Sequence, residues 1–226
     1  MKINDIFYGV QRNSSILTPP YVIAEAGVNH EGDMGIARRL IDEAAEAGAN
    51  AIKFQTYKAG MLASKNSPSY WDTTKEPTKS QFELFSKYDK FWKPEFEELK
   101  KHCDIVDIEF MSTPFDLESA NFLSDLVDVF KISSSDITNK PFIKNIAAYG
   151  KPVILSTGAS RSDEISEALE WIGLEKIPVA LLHCVLNYPT MDSDSNLGMI
   201  LGLRKQFPNV IVGYSDHTMP GDMKNL

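Results

Sequence analysis

The chain has 226 residues and, with 23 Lys and Arg against 31 Asp and Glu, a formal net charge of −8 at pH 7, which excludes a generic cationic nucleic-acid binder. Its 43% hydrophobic and 24% charged content lies near the globular average, so disordered and collagen-like classes are excluded as well. A chain of this length buries on the order of 70% of its unfolded surface, so a single α/β domain over residues 1–226 would use it all.

Short β-rich apolar runs predict seven strands, at 21–27, 51–55, 105–112, 129–133, 153–156, 179–183 and 210–214. Between the first two, Asp33 can cap a helix whose apolar positions Ile36, Leu40 and Ala44 and Ala37, Ile41 and Ala45 recur every four residues until Gly48 ends it. Segments 94–102, 116–126, 141–149, 162–172 and 195–207 read as further helices, the fourth of these five carrying Ile165, Ala168, Leu169 and Ile172 on one face. This βαβα order implies a parallel sheet.

Successive strand ends lie 21 to 31 residues apart except for a second interval of 57. The long interval holds a polar and aromatic excursion at 57–94, either a cover over an active site or a surface loop with a short helix near 81–86. Regular βα units, with no GxGxxG after the first strand, favour a TIM (β/α)8-type barrel over a doubly wound sheet. Only 12 residues follow Tyr214, fewer than the roughly 25 that another unit needs, so the expected barrel is incomplete, with about seven βα units.

Cys103 and Cys184 match no metal-ligand spacing, and no apolar run approaches a membrane span or a signal segment. A reducing, cytoplasmic setting is expected.

Strands enclosed on both faces should be apolar, yet Glu25, Lys53, Gln55, Lys131 and His183 stand at or near these strands' C-terminal ends. In a barrel those ends form the catalytic mouth; alternatively, Glu25 and Lys53 form an ion pair bracing neighbouring strands. Hydroxyl-rich loops follow the fourth strand (KISSSDITN, 131–139) and the fifth (STGAS, 156–160). With Lys53 and Lys131, the Ser134, Ser156 and Thr157 hydroxyls and loop amides describe a site for a small dianion such as phosphate, although N-capping explains the hydroxyls equally well. His217, in GYSDHT (213–218), is either a loop residue beside Asp216 or a metal ligand that His30 and His183 could join; His102 reads as solvated.

Seven motifs now stand in order: AEAGVNHEGD (24–33), AIKFQTYK (51–58), FMSTPFD (110–116), FKISSSDITN (130–139), VILSTGAS (153–160), LLHCVLNYPT (181–190) and VGYSDHT (212–218). Together they resemble the sialic acid synthase (N-acetylneuraminate synthase) family. The resemblance implies condensation of phosphoenolpyruvate with N-acetylmannosamine or a related acetamido aldose, giving a nine-carbon 2-keto acid and phosphate. It implies catalytic roles for Glu25, Lys53, Lys131 and Asp136, and substrate contacts by Gln55, Thr113, Ser134, Ser156, Asn187, Tyr188 and Ser215. A divalent Mn2+ or Mg2+ would be held by His217 and Glu25, the latter directly or through water. Asp136 stands where many members have a longer glutamate, and Leu186 where some have asparagine or serine, leaving Asn187 as a weak substitute.

The resemblance further implies a second metal histidine on an eighth strand, and a C-terminal antifreeze-like domain that helps build a homodimer in the full-length form. This sequence contains neither, so it reads as a single synthase-type barrel domain, weakly active or inactive alone. A synthase for legionaminic or pseudaminic acid, a non-catalytic paralogue binding sugar or phosphate, and a more distant phosphoenolpyruvate-using barrel aldolase are the alternatives. No nucleic-acid or membrane partner is expected.

Overall fold

A computed structural model describes residues 1–9, 19–219 and 221. The polypeptide forms two compact units, Met1–Asp128 and Val129–Leu226.

The first unit opens with a π-helical turn at Asp5–Gly9 and continues through β1 (Ile23–Gly27), α1 (Met34–Glu46), β2 (Ala51–Thr56), α2 (Ala59–Leu62), α3 (Gln81–Tyr88), α4 (Lys93–Ile105), β3 (Glu109–Pro114) and α5 (Leu117–Leu123). Its three strands are parallel in the order β1-β2-β3. α1 starts where expected, because Asp33 accepts the Ile36 N–H at 2.9 Å. Phe54, Ile52, Ile41, Leu99 and Leu123 are fully buried between sheet and helices, and Met111, in register with Lys53, is fully buried on the other sheet face, each worth roughly 1.5–3 kcal/mol against exposure.

The second unit runs β4 (Phe130–Ile132), a 3-10 turn at Ser134–Asp136, α6 (Lys140–Ala148), β5 (Val153–Ser156), α7 (Ser162–Ile172), β6 (Val179–His183), a 3-10 turn at Asp192–Asp194, α8 (Gly198–Gln206) and β7 (Ile211–Tyr214). Its strands are parallel in the order β4-β5-β6-β7. Every residue of β4 and β5 is buried, as strands covered on both faces require. Phe130, Ile132, Ile143, Ile146, Leu155 and Leu181 fill its core.

Two sequence expectations are corrected. The third strand begins at Glu109 instead of residue 105, because Ile105 still belongs to α4, and Asp107, at a φ of 57°, turns the chain between helix and strand. His102 is not free in solvent: its Nε2–H donates to Asp42 Oδ1 at 2.7 Å and joins α4 to α1.

The excursion between β2 and α4 is tied down at its base. Asp89 accepts from Lys58 Nζ at 2.7 Å and from the Ala59 N–H at 2.9 Å, and Phe91 stacks at 4.2 Å on His30, in the turn after β1. His30 is buried and its Nδ1 accepts the Gly32 N–H at 3.0 Å. Burial first, then the nearby Lys90 charge, lower its pKa to about 4. The unfolded chain, with an ordinary histidine, therefore binds more protons than the folded one between that value and about 6.5, so stability falls as pH drops through the window. Denaturant melts at pH 7 and pH 4.5 should show a loss attributable to this residue, approaching about 1.4 kcal/mol per pH unit at most. His30→Asn, which retains an acceptor, should flatten that part of the pH dependence; an unchanged slope would exclude His30 as its source.

Candidate functional site

In the first unit, parallel register sets Glu25 beside Lys53, and Gln55 beside Thr113. Strand alternation then puts Lys53 and Gln55 on one face of β2. The Glu25 carboxylate pairs with Lys53 Nζ, which also donates to Thr113 Oγ1 at 3.4 Å. At Gly27, where β1 is irregular and φ is 52°, a Cβ would stand 3.2 Å from Glu25 Oε1 and 3.7 Å from Gln55 Nε2. Glycine thus admits both polar groups to the strand end. The ion-pair alternative is realised, but lopsidedly: the Lys53 side chain is 12% exposed and that of Glu25 is 50% exposed. A pair so hydrated at one end contributes little stability, and Glu25 keeps a face open to solvent.

The second unit gathers a separate set. Lys131, buried on β4, donates from Nζ to Ser156 Oγ at 2.7 Å and to the Ile132 carbonyl at 2.9 Å. Ser156 ends β5, and the next turn is fastened back to β4's turn, where the Gly158 N–H donates to Ser134 Oγ at 3.0 Å. Ser134 Oγ also lies 3.3 Å from Cys184 Sγ. A Cβ at Gly158 would meet Cys184 Sγ and Leu186 Cγ at 2.9 Å and Ser134 Oγ at 3.0 Å, so this glycine is a close-approach position. Asp136, in the same turn as Ser134, has its carboxyl pKa raised from its ordinary value by burial, against the opposing hydrogen bonds from Asn139 and Ser135.

His217 lies beyond β7. Its Nδ1 is 2.6 Å from the Val185 carbonyl, and since a carbonyl only accepts, Nδ1 carries the proton. In the neutral ring Nε2 therefore holds the lone pair, with Tyr188 OH at 3.3 Å and Ser215 Oγ at 3.4 Å. The exposed Tyr188 ring lies over the imidazole, centroids 4.2 Å apart. Tyr188, Ser215 and His217 are thus brought together. Asn187 is exposed and contributes its main-chain carbonyl to the Thr190 hydroxyl at 2.7 Å.

The other candidate histidines are engaged elsewhere: His183 Nε2–H donates to the Ser195 carbonyl at 2.7 Å, and His30 belongs to the first unit's aromatic stack. Among the described residues, no group of three or more His, Cys, Asp or Glu side chains forms a metal cluster. Sequence reasoning did not reach Gly158, Cys184 or the Val185 carbonyl. The glycine in STGAS was a visible signal for a close approach; a carbonyl has no sequence signature.

Residues 40–225 match the model of the NeuB family. The chain belongs to the NeuB family. N,N'-diacetyllegionaminic acid synthase of Campylobacter jejuni is 42% identical over 204 residues, spanning 87% of this chain and 60% of that relative. N-acetylneuraminate-9-phosphate synthase of Drosophila melanogaster is 32% identical, over 97% of this chain and 58% of its own. The crystal structure of the N-acetylneuraminic acid (sialic acid) synthetase from Leptospira borgpetersenii, in complex with citrate, matches with a TM-score of 0.79 at 40% identity, over 89% of this chain and 66% of that one. This NeuB-family chain therefore spans a little over half to about two thirds of the length of these relatives. Its fold class is the α/β, TIM-barrel type expected from the strand order.

Gly158→Ala should push Ser134 and Cys184 apart, at a cost of about 1–3 kcal/mol. Thermal denaturation together with a crystal structure of the variant checks this; an unchanged Tm with Ser134 in place would show that the turn has slack.

Proposed function

We propose that this chain is the catalytic part of a synthase that condenses phosphoenolpyruvate with an acetamido aldose, releasing phosphate and forming a nine-carbon 2-keto acid of the sialic acid class. The two units belong, in this reading, to one synthase-type domain, and a homodimer belongs to a longer form of the protein. The observation that carries it is the buried Lys131 of β4, bonded to the Ser156 hydroxyl beside the two turns that the Gly158–Ser134 hydrogen bond joins. Lysine, hydroxyls and turn amides converging in one unit suit a dianionic phosphate ester.

C3 of phosphoenolpyruvate attacks the aldehyde carbon of the open-chain sugar, forming the new C–C bond and leaving oxocarbenium character at C2. Water adds at C2, and the tetrahedral intermediate expels phosphate by cleavage of its C–O bond. Lys131, Ser134 and Ser156 hold the phosphate and its growing charge in the second unit; Lys53, Thr113 and Gln55 supply the first unit's donors. Asp136, whose carboxyl pKa burial raises above its ordinary value, is the candidate to hand a proton to the new alkoxide oxygen. Glu25 holds Lys53 in place and offers its exposed carboxylate oxygen to water.

Within the second unit, a single imidazole lone pair at His217 Nε2, with the Tyr188 and Ser215 hydroxyls beside it, suits a hydrated divalent ion better than a closed zinc site. Mn2+ or Mg2+, when bound, supplies Lewis-acid polarisation of the aldehyde. Tyr188 and Ser215, already beside His217, are the residues through which this part of the second unit touches substrate.

The legionaminic relative supports a diacetamido aldose as the first sugar to try, with N-acetylmannosamine beside it. Localisation to the cytoplasm fits soluble small-molecule substrates, and none of the described helices is long and apolar enough to cross a membrane.

Titration calorimetry with phosphoenolpyruvate, and phosphate release in the presence of aldose and Mn2+, test the reading. Lys53→Ala and Lys131→Ala should each weaken binding by about tenfold or more, in line with loss of a charge-assisted contact, while Ser69→Ala in the excursion should not. Equal effects from all three would refute the anion assignment.

A further inference from the structure

We propose that Asp216 is a positioning residue for His217, fixing the ring orientation and tautomer that leave Nε2 as the coordinating nitrogen. His217 is held from two sides. From the β6 side, the Val185 carbonyl accepts its Nδ1–H at 2.6 Å, and its own carbonyl accepts the Thr190 N–H at 2.7 Å. From the β7 side, the Ser215 hydroxyl lies 3.4 Å from Nε2, and the chain carrying the ring is shaped by Asp216. Asp216 Oδ1 accepts from Tyr214 OH at 2.8 Å and from the Thr218 N–H at 2.9 Å, and Oδ2 accepts from the Thr218 hydroxyl at 3.0 Å. One carboxylate thus ties the strand before His217 to the residue after it, closing a loop around the histidine.

The strand end to which it ties is itself fixed. Tyr214 is in register with His183, its ring stacks on that imidazole at 5.8 Å, and the Ser215 N–H donates to the His183 carbonyl at 2.8 Å. His183 in turn donates from Nε2 to the Ser195 carbonyl at 2.7 Å. The buried His183, which the proposed reaction does not use, finds its role here as the footing on which Tyr214, and through it Asp216, stands. The Val185 carbonyl and the Tyr188 and Ser215 hydroxyls meet the ring's two nitrogens; closing the backbone on both sides of the histidine keeps the ring where those partners can hold one tautomer. Such indirect partners of a metal-ligating histidine commonly affect metal affinity by 10–100-fold.

The metal part of this inference rests on the proposed function; the tautomer part does not. The test uses the 15N-labelled chain, with the His217 imidazole signals assigned by their absence in His217→Ala, and Mn2+ affinity measured separately by electron paramagnetic resonance. In the parent protein at a pH where the ring is neutral, the signals should report the Nδ1–H form. Asp216→Ala should give a mixture of tautomers and about tenfold or greater weaker Mn2+ binding. Asp216→Asn should keep the Nδ1–H form and bind Mn2+ within about threefold of the parent, because its carbonyl oxygen can accept from Tyr214 and the Thr218 N–H while its amide donates to the Thr218 hydroxyl. Should Asp216→Ala fail to fold, Tyr214→Phe combined with Thr218→Val removes two of the three bonds and should shift the tautomer in the same direction. A His217 tautomer unchanged in both altered proteins, with only Tm lowered, would overturn the proposal. Absence of Mn2+ binding by the parent chain would instead refute the metal reading and leave the tautomer comparison as the decisive result.

Discussion

Parallel pairing aligns the C-terminal ends of all strands in a sheet, and in this protein that alignment is what places chemistry. Because β1 and β2 run in register, Glu25 stands beside Lys53; because β4 and β5 do so, Lys131 lies within reach of Ser156 at the next strand's end. A buried lysine would cost several kcal/mol without partners, so the serine hydroxyl and the Ile132 carbonyl are conditions of the fold as much as of any reaction. Each unit satisfies this requirement separately: the first uses a carboxylate and Thr113, the second uses hydroxyls and main chain.

Much of this was legible in the sequence where local signals and burial agree. β5 and α7 fall at their expected residues because a continuous apolar run and a four-residue repeat each point one way. The third strand was read four residues early because Ile105 and Val106 look like strand, although Ile105 is the exposed last residue of a helix. The Asp5–Gly9 turn had no periodicity to reveal it; Ile3 and Phe7 are buried singly, with Ile3's N–H held by Glu109 at 2.7 Å. His102 was misread as solvated because its partner Asp42 lies 60 residues away on another helix.

At the site, the residue types were legible and the constraints among them were not. Lys53, Lys131, Ser134 and Ser156 stand out as polar groups in apolar strands or in loops after them. The demand that residue 158 be glycine arises from three side chains of distant sequence, Ser134, Cys184 and Leu186. Likewise, the assignment of the proton in His217 depends on a backbone carbonyl at residue 185, and backbone groups carry no residue code. The same limit explains why Asp216 read as a neighbour of a histidine and emerges as the closure of its turn.

The two substitutions against the family pattern have different physical consequences. Leu186 packs against the Gly158 turn; the exposed Asn187 contributes its main-chain carbonyl to Thr190 instead. In the proposed function, anion recognition in the second unit would then rest more on Lys131 and the serines. Asp136 is shorter than glutamate by one methylene, yet burial lifts its pKa. A carboxyl that holds its proton closer to neutral pH gains as an acid what a shorter side chain loses in reach. The compensation works only if the sugar oxygen comes to Asp136, because the turn Ser134–Asp136 is bound to the β5 loop through Ser134 and cannot advance without breaking the Gly158 hydrogen bond. In the proposed reaction, selection among acetamido aldoses would then favour the one whose alkoxide can approach an acid fixed in this turn.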